Sequence, residues 1–218
     1  MTVSTPSMNP LQPGSLSGKR ILVTGSSRGI GADTVAYFAE AGAKVVINYR
    51  NKEARANKLA TAIREAGGTA ITVGADLTDP QSVTAMFDTI RAEYGGLDIL
   101  VMNASGGMES GMAEDYALKL NRNAQVNLLN AALPVFPPGS RVVFVTSHQA
   151  HFIETVPTMP EYEPVAKSKR AGEDALRALI PNLAVEDISL VVVSGDMIEG
   201  TVTATLLDRA NPGAIEAR

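Results

Sequence analysis

The sequence predicts an α/β fold: a doubly wound parallel sheet with helices on both faces. Three observations point there. Short runs of almost continuous apolar residues recur after residue 18, as strands covered on both faces do. Amphipathic segments with helical spacing separate these runs. The first run ends in a glycine-rich turn that opens a helix, the connection a strand–helix–strand unit needs. Right-handed crossovers between six such strands give the order 3-2-1-4-5-6.

The elements follow in turn. Arg20–Thr24 (RILVT) is the first strand and Gly29–Ala41 the first helix. Lys44–Asn48 (KVVIN) is a strand, and Asn51–Ala66 is a charged amphipathic helix closed by Gly67 and Gly68. Thr69–Gly74 is the third strand. Asp79 caps the next helix with Pro80 at its first position, where a missing N–H costs nothing, and that helix reaches Tyr94. Asp98–Met102 (DILVM) is the fourth strand and Ala113–Leu133 a helix. Arg141–Val145 (RVVFV) is the fifth strand, Pro164–Leu179 a helix, and Ser189–Val193 (SLVVV) the sixth strand. Residues 1–17 hold Pro, Ser and Gly without the basic and apolar regions of a signal peptide, and are read as a disordered leader. Residues 18–218 then form a single domain.

Composition narrows the function. The 218 residues, 45% hydrophobic and 19% charged, suit one soluble domain. A net charge of −4 supplies no positive field for nucleic acid. The absence of cysteine excludes disulfides, thiolate catalysis and cysteine metal sites. No apolar run approaches the length of a bilayer span, so no membrane partner is expected and the cytoplasm is the expected location. The two histidines, His148 and His151, lack an evident third ligand, so no metal is expected.

Ligands of a doubly wound sheet bind beyond the C-terminal ends of its strands. The first such loop reads Thr24-Gly25-Ser26-Ser27-Arg28-Gly29-Ile30-Gly31. Glycines at 25, 29 and 31 let the backbone turn tightly and admit a pyrophosphate to the helix N-terminus. Ser27, Arg28 and Ile30 share that loop. A tight turn without a ligand is the plain alternative.

The pattern TGxxxGxG in this place resembles the short-chain dehydrogenase/reductase family, whose domain is a Rossmann fold that binds a nicotinamide cofactor. Where NAD-using members carry an acid at the end of the second strand, this chain has Asn48-Tyr49-Arg50. Arg50 and Arg28 suit a 2′-phosphate, which points to NADP; two solvated surface arginines are the alternative. The resemblance implies that Asp76, followed by Leu77, meets the adenine, although Asp76 also suits a turn or cap. It implies that Asn103 and Ala104, in place of the family's NNAG, line the cofactor ribose. It also places Ser194 and Gly195 at the start of the substrate loop, ahead of Thr201-Val202-Thr203. No seventh strand, usual in the family, is expected before Arg218. A small-molecule substrate and a homo-oligomer are implied as well.

The family's chemistry uses Asn, Ser, Tyr and Lys for acid–base work beside a hydride donor. Ser147 follows the fifth strand in the expected place. Asn121 stands thirteen residues ahead of Pro134, with Asn123, Asn127 and Asn130 as competitors. Lys169 follows Ser168, with Lys167 as the alternative. The usual YxxxK is missing, since Val165 precedes Lys169 by four. Tyr162 precedes it by seven, which resembles the YxxxxxxK of enoyl-acyl-carrier-protein reductases. Lys169 is expected to lower the phenol pKa if the two approach closely. His148, beside Ser147, either assists proton transfer or is a polar loop residue. Met108 and Met112 line an apolar pocket or pack in the core. The expected activity is reduction of a carbonyl or enoyl substrate by NADPH. Ketone reduction, including 3-oxoacyl groups, and a catalytically impaired NADP-binding regulator are the alternatives.

Overall fold

All six apolar runs become strands of one parallel sheet in the order β3-β2-β1-β4-β5-β6. The structure is a computed structural model that describes residues 9–108, 111, 113, 115–198 and 201–212. The strands are β1 (Arg20–Val23), β2 (Lys44–Tyr49), β3 (Thr69–Gly74), β4 (Ile99–Met102), β5 (Arg141–Ser147) and β6 (Ser189–Gly195). Between them lie α1 (Gly29–Glu40), α2 (Glu53–Glu65) and α3 (Pro80–Tyr94). Then come α4 (Tyr116–Leu118), α5 (Ala124–Ala132), α6 (His148–His151), α7 (Glu163–Arg177) and α8 (Ile180–Val185). After β6 comes α9 (Val202–Ala210).

Alternate strand residues point to opposite faces, so each apolar run feeds two cores. Ile21, Val23, Val45 and Ile47 pack under α1 and α2 with Val35, Ala56, Ala60 and Ile63. Leu22, Val46, Leu100, Met102, Val142 and Phe144 pack under α3, α5 and α7 with Phe87, Ile90, Leu128 and Leu176. Each Val, Leu, Ile, Phe or Met among them, fully removed from water, contributes about 1.5–3 kcal/mol. At the edge strand β6 the expectation of burial on both faces fails: Val191 and Val193 are 43% and 48% exposed. Arg20 and Asp98 lock the N-terminal ends of β1 and β4 through two guanidinium–carboxylate bonds of 2.7 and 2.9 Å.

The cap expected at Asp79 is present, its carboxylate accepting from the Gln81 N–H with Pro80 beginning α3. Two expectations need correction. Residues 9–17 of the expected disordered leader are built into the fold, and residues 1–8 lie outside the described residues. Asn9 donates to the Tyr37 carbonyl at 2.9 Å and Leu16 to the Ala41 carbonyl at 3.0 Å. The last carbonyls of a helix lack partners within it, and this segment supplies donors at the end of α1. The helix expected over 113–133 is shorter and broken. It begins at Tyr116, opens into a π turn at Lys119–Asn123, and ends in a 3-10 turn at Leu133–Val135, where Pro134 sits. No helix among the described residues is long and apolar enough to cross a membrane.

Candidate active site

The glycine loop is held by buried polar residues. Gly25 and Gly29 both have positive φ, +63° and +55°. A Cβ on Gly25 would lie 3.1 Å from Ala104, whereas Gly29 faces open space. Gly31 is required by packing: its Cβ would meet Asn103 Nδ2 at 2.7 Å and Ser26 Cα at 2.9 Å. Thr24 Oγ1 accepts the N–H groups of Asn103 and Ala104, both at 3.0 Å, and Asn103 Nδ2 donates to the Thr24 carbonyl at 2.9 Å. Asn48 Oδ1 accepts the Gly25 N–H at 3.0 Å, and its Nδ2 donates to the Val73 carbonyl at 3.3 Å. Ser26 Oγ accepts the Asn48 N–H and donates to the Val23 carbonyl. Thr24, Ser26 and Asn48 were not among the expected site residues. Their signal is a polar side chain closing an apolar strand, where burial demands hydrogen-bond partners.

What the loop presents outward suits an anion. α1 begins at Gly29 with no side-chain cap and no acid in its first turn. Its leading N–H groups and the positive end of its dipole are therefore free of protein counter-charge. Arg28 is exposed at this end, Ser27 is half-buried, and Ile30 is 41% exposed. Arg50, exposed at the end of β2, donates to the Tyr116 hydroxyl and lies over that ring, 5.9 Å from its centroid.

Other expected contacts are partly occupied. The Tyr49 ring lies against Gly74, and burial beside Glu53 raises its phenol pKa, so this side chain packs on the neighbouring strand. Asp76 Oδ1 accepts the Thr78 N–H and hydroxyl, both at 2.8 Å, forming the turn weighed as its alternative role. The Leu77 side chain is 6% exposed and belongs to the core. Ser194 and Gly195 end β6 opposite Thr146 and Ser147. The Ser194 and Thr146 hydroxyls are buried with no hydrogen-bond partner among the described residues.

Ser147 and Tyr162 meet at the C-terminal end of the sheet, with Oγ 3.2 Å from the phenol oxygen. Ser147 ends β5 and caps α6, accepting the Ala150 N–H at 3.3 Å. Tyr162 is the N-cap residue of α7, with Pro164 in the first turn behind it. The phenol is 3% exposed. Burial raises its pKa and the Ser147 hydrogen bond lowers it, with a net rise. Lys169, 8% exposed, has its pKa lowered to about 8 by burial alone. Lys167 instead points outward and pairs with Glu163 at 2.6 Å.

Asn121 lies in the π turn, 1% exposed. Its Nδ2 donates to the Gly106 carbonyl at 2.8 Å and to Ser168 Oγ at 2.9 Å, while Oδ1 accepts the Gly106 N–H at 3.2 Å. It thereby ties the loop after β4 to the lysine helix. Met108, Ile153, Met159 and Met197 surround the cluster of Ala150, Tyr162, Val165, Ala166 and Leu207. Met112 lies outside the described residues. His148 is exposed, and no group of three metal-ligating side chains occurs among the described residues.

The sequence profile described as short chain dehydrogenase matches residues 19–211. The short chain dehydrogenase/reductase nsrJ of Aspergillus novofumigatus is 32% identical over 201 residues, which cover 89% of this chain and 73% of that protein. Among solved structures, a short chain dehydrogenase from Burkholderia cenocepacia in complex with NADP is 34% identical with a TM-score of 0.73, over 82% of this chain and 74% of that one. The angucycline C-6 ketoreductase LanV with bound NADP is 30% identical with a TM-score of 0.78, over 95% of this chain and 82% of its own.

Proposed function

The chain belongs to the short chain dehydrogenase family of oxidoreductases, and from that premise we propose that it is an NADP(H)-dependent carbonyl reductase. The observation that carries this reading is the 3.2 Å approach of Ser147 Oγ to the Tyr162 hydroxyl. The uncapped start of α1 and the open space at Gly29 fit a pyrophosphate. Gly25, Ser27, Gly29, Ile30 and Gly31 would hold it, with Arg28 and Arg50 at the 2′-phosphate. Asp76 and the backbone at Tyr49 and Leu77 would border the adenine end, and Asn103 and Ala104 the ribose. Lys169, Ser194 and Gly195 would border the nicotinamide end. When bound, NADPH supplies the hydride.

The remaining chemistry falls to the protein. The carbonyl oxygen gains negative charge as its carbon is reduced and needs a hydrogen-bond donor or proton at that point. Tyr162, whose raised pKa keeps the phenol protonated near neutral pH, gives its proton to that oxygen. Ser147 Oγ orients the same oxygen from the other side. Lys169 provides a cation behind them, and Asn121 acts by holding the loop after β4 against α7. The angucycline substrate named for one relative supports a polycyclic aromatic ketone here. Met108, Met159 and Met197 offer such rings an adaptable, polarizable wall. The seven-residue spacing of Tyr162 and Lys169 favours a second reading, reduction of an enoyl thioester. A homo-oligomer is the assembly we propose, to be measured by sedimentation.

The test is NADPH oxidation with purified protein against polycyclic aromatic ketones, 3-oxoacyl thioesters and enoyl thioesters. Turnover of ketones is expected. Turnover of enoyl thioesters alone would favour the second reading. A protein that binds NADPH yet reduces none of these would overturn both.

A further inference from the structure

The one-turn helix α6 links the serine to the helix that carries the lysine. It begins at its cap Ser147 and ends at His151, which is tied twice to α7. His151 Nδ1 lies 2.9 Å from a Glu173 carboxylate oxygen, and the His151 carbonyl accepts from Arg170 at 2.8 Å. Glu173 is 1% exposed and also accepts from Arg177 Nε at 2.8 Å. Arg170 is braced in turn by Asp174 at 3.0 Å and Glu154 at 3.6 Å. The His151 ring stands edge-on to Phe152, centroids 4.7 Å apart.

A four-residue helix does not hold itself in water, because nucleation costs more than one turn returns. The orientation of α6 therefore depends on what grips it: in its middle Gln149 Nε2 donates to Asp196 at 2.9 Å and Ala150 is buried beside Tyr162, and its two ends are held as well. One end is the Ser147 cap. The other is gripped by Arg170 and Glu173, which lie one and four residues beyond Lys169. A buried carboxylate is a poor means of raising stability, but with two fixed partners it is a rigid geometric anchor. Neither Glu173 nor Arg170 bonds to Ser147 or Tyr162 among the described residues; their link to Ser147 runs through His151 and α6, and their link to Tyr162 runs along α7 itself.

We infer that His151, Glu173 and Arg170 are positioning residues that clamp α6 onto α7 and hold Ser147 Oγ against the Tyr162 hydroxyl. The inference rests on the reading that Ser147 and Tyr162 do the chemistry. Small displacements of reacting groups cost up to about 100-fold in rate, so His151→Phe should lower kcat by about 10–100-fold with NADPH affinity unchanged. His151→Asn, which keeps a donor near the place of Nδ1, should recover much of that loss. Arg170→Met, at a half-exposed site that does not threaten folding, should lower kcat in the same direction.

The decisive comparison is a double-mutant cycle. In a Ser147→Ala background, His151→Phe should cost less than about twofold, because the group it positions is gone. Equal losses in both backgrounds would overturn the clamp. Amide exchange tests it without substrate. In His151→Phe and in Arg170→Met the Ala150 and Phe152 amides should exchange faster, while those of α7 stay protected. Unchanged exchange in α6 would overturn the clamp, whereas a wild-type protein inactive toward every substrate would overturn only the reductase reading.

Discussion

The Tyr162 hydroxyl stands 3.2 Å from Ser147 Oγ across fifteen residues of chain. Two strand-and-helix ends make the pair: Ser147 closes β5 and caps α6, and Tyr162 begins α7. Val165, in the place where the family's tyrosine usually stands, is buried in the same cluster and carries no proton to give. General acid catalysis is worth about 10²–10⁴-fold, so Tyr162→Phe should lower kcat by that order. Losing one hydrogen bond costs about 1 kcal/mol, so the variant should remain folded and bind NADPH. Stopped-flow reduction of a verified ketone decides the point. A Tyr162→Phe enzyme with nearly full activity would move the role to His148 or water.

Lys169 should cost the ligand-free protein stability. Its pKa falls from 10.5 to about 8 in the folded state because burial disfavours the ammonium. Between those two values the unfolded chain holds a proton that the folded chain has lost, so stability rises with pH across that window. Below about pH 8 both states are protonated and the penalty is fully present. The gap corresponds to about 3 kcal/mol. Lys169→Met should therefore be more stable than wild type at pH 7 and lose the rise between pH 8 and 10.5, while turnover collapses. Urea unfolding of both proteins across that range checks it; parallel curves would show that Lys169 is solvated or paired.

Cofactor choice should favour NADPH over NADH. Arg28 and Arg50 are the residues proposed to meet the 2′-phosphate, and no acid ends β2. Arg50 must exchange its Tyr116 partner for the phosphate. Removing one charged hydrogen bond from that phosphate should weaken NADPH binding by about 10–100-fold in Arg50→Ala and leave NADH nearly unchanged. Fluorescence titration measures both, and equal wild-type affinities for the two cofactors would end the assignment.

The fold was legible because burial on both faces leaves a strong mark: runs such as KVVIN and RVVFV have few other homes. The Asp79–Pro80 cap was legible for a local reason, since cap and first turn lie side by side in sequence. Less visible features depend on distant partners. Nothing near Asn9 or Leu16 reveals that the end of α1 needs their donors. Asn48 reads as a strand-ending turn residue, and only the return of Gly25 beneath it makes it a hub. His151 and Glu173 are 22 residues apart and meet only because α6 packs on α7. Tyr49 ends β2 and Leu77 follows β3, but the direction of each side chain is decided by Gly74 and by the core under α3.

Gly172 should be the least replaceable residue of α7. Alanine in a helix interior is ordinarily better than glycine by about 1 kcal/mol. Here an added Cβ would fall 2.0 Å from the Asn121 carbonyl oxygen and 3.1 Å from its carbon. Both atoms are backbone, so no side-chain rotation relieves the overlap. α7 and the π turn must separate, and Asn121 then loses its register with Gly106 and Ser168. Overpacking of this kind costs about 1–3 kcal/mol or more, which exceeds the helix-propensity gain. Gly172→Ala should therefore melt at a lower temperature and show reduced kcat, because the loop after β4 moves with Asn121. Ala171→Gly, one residue away, isolates the propensity effect: it should lose about 1 kcal/mol and keep its kcat. If Gly172→Ala melts at or above the wild-type temperature with kcat intact, α7 tilts freely and the π turn at Asn121 has another cause.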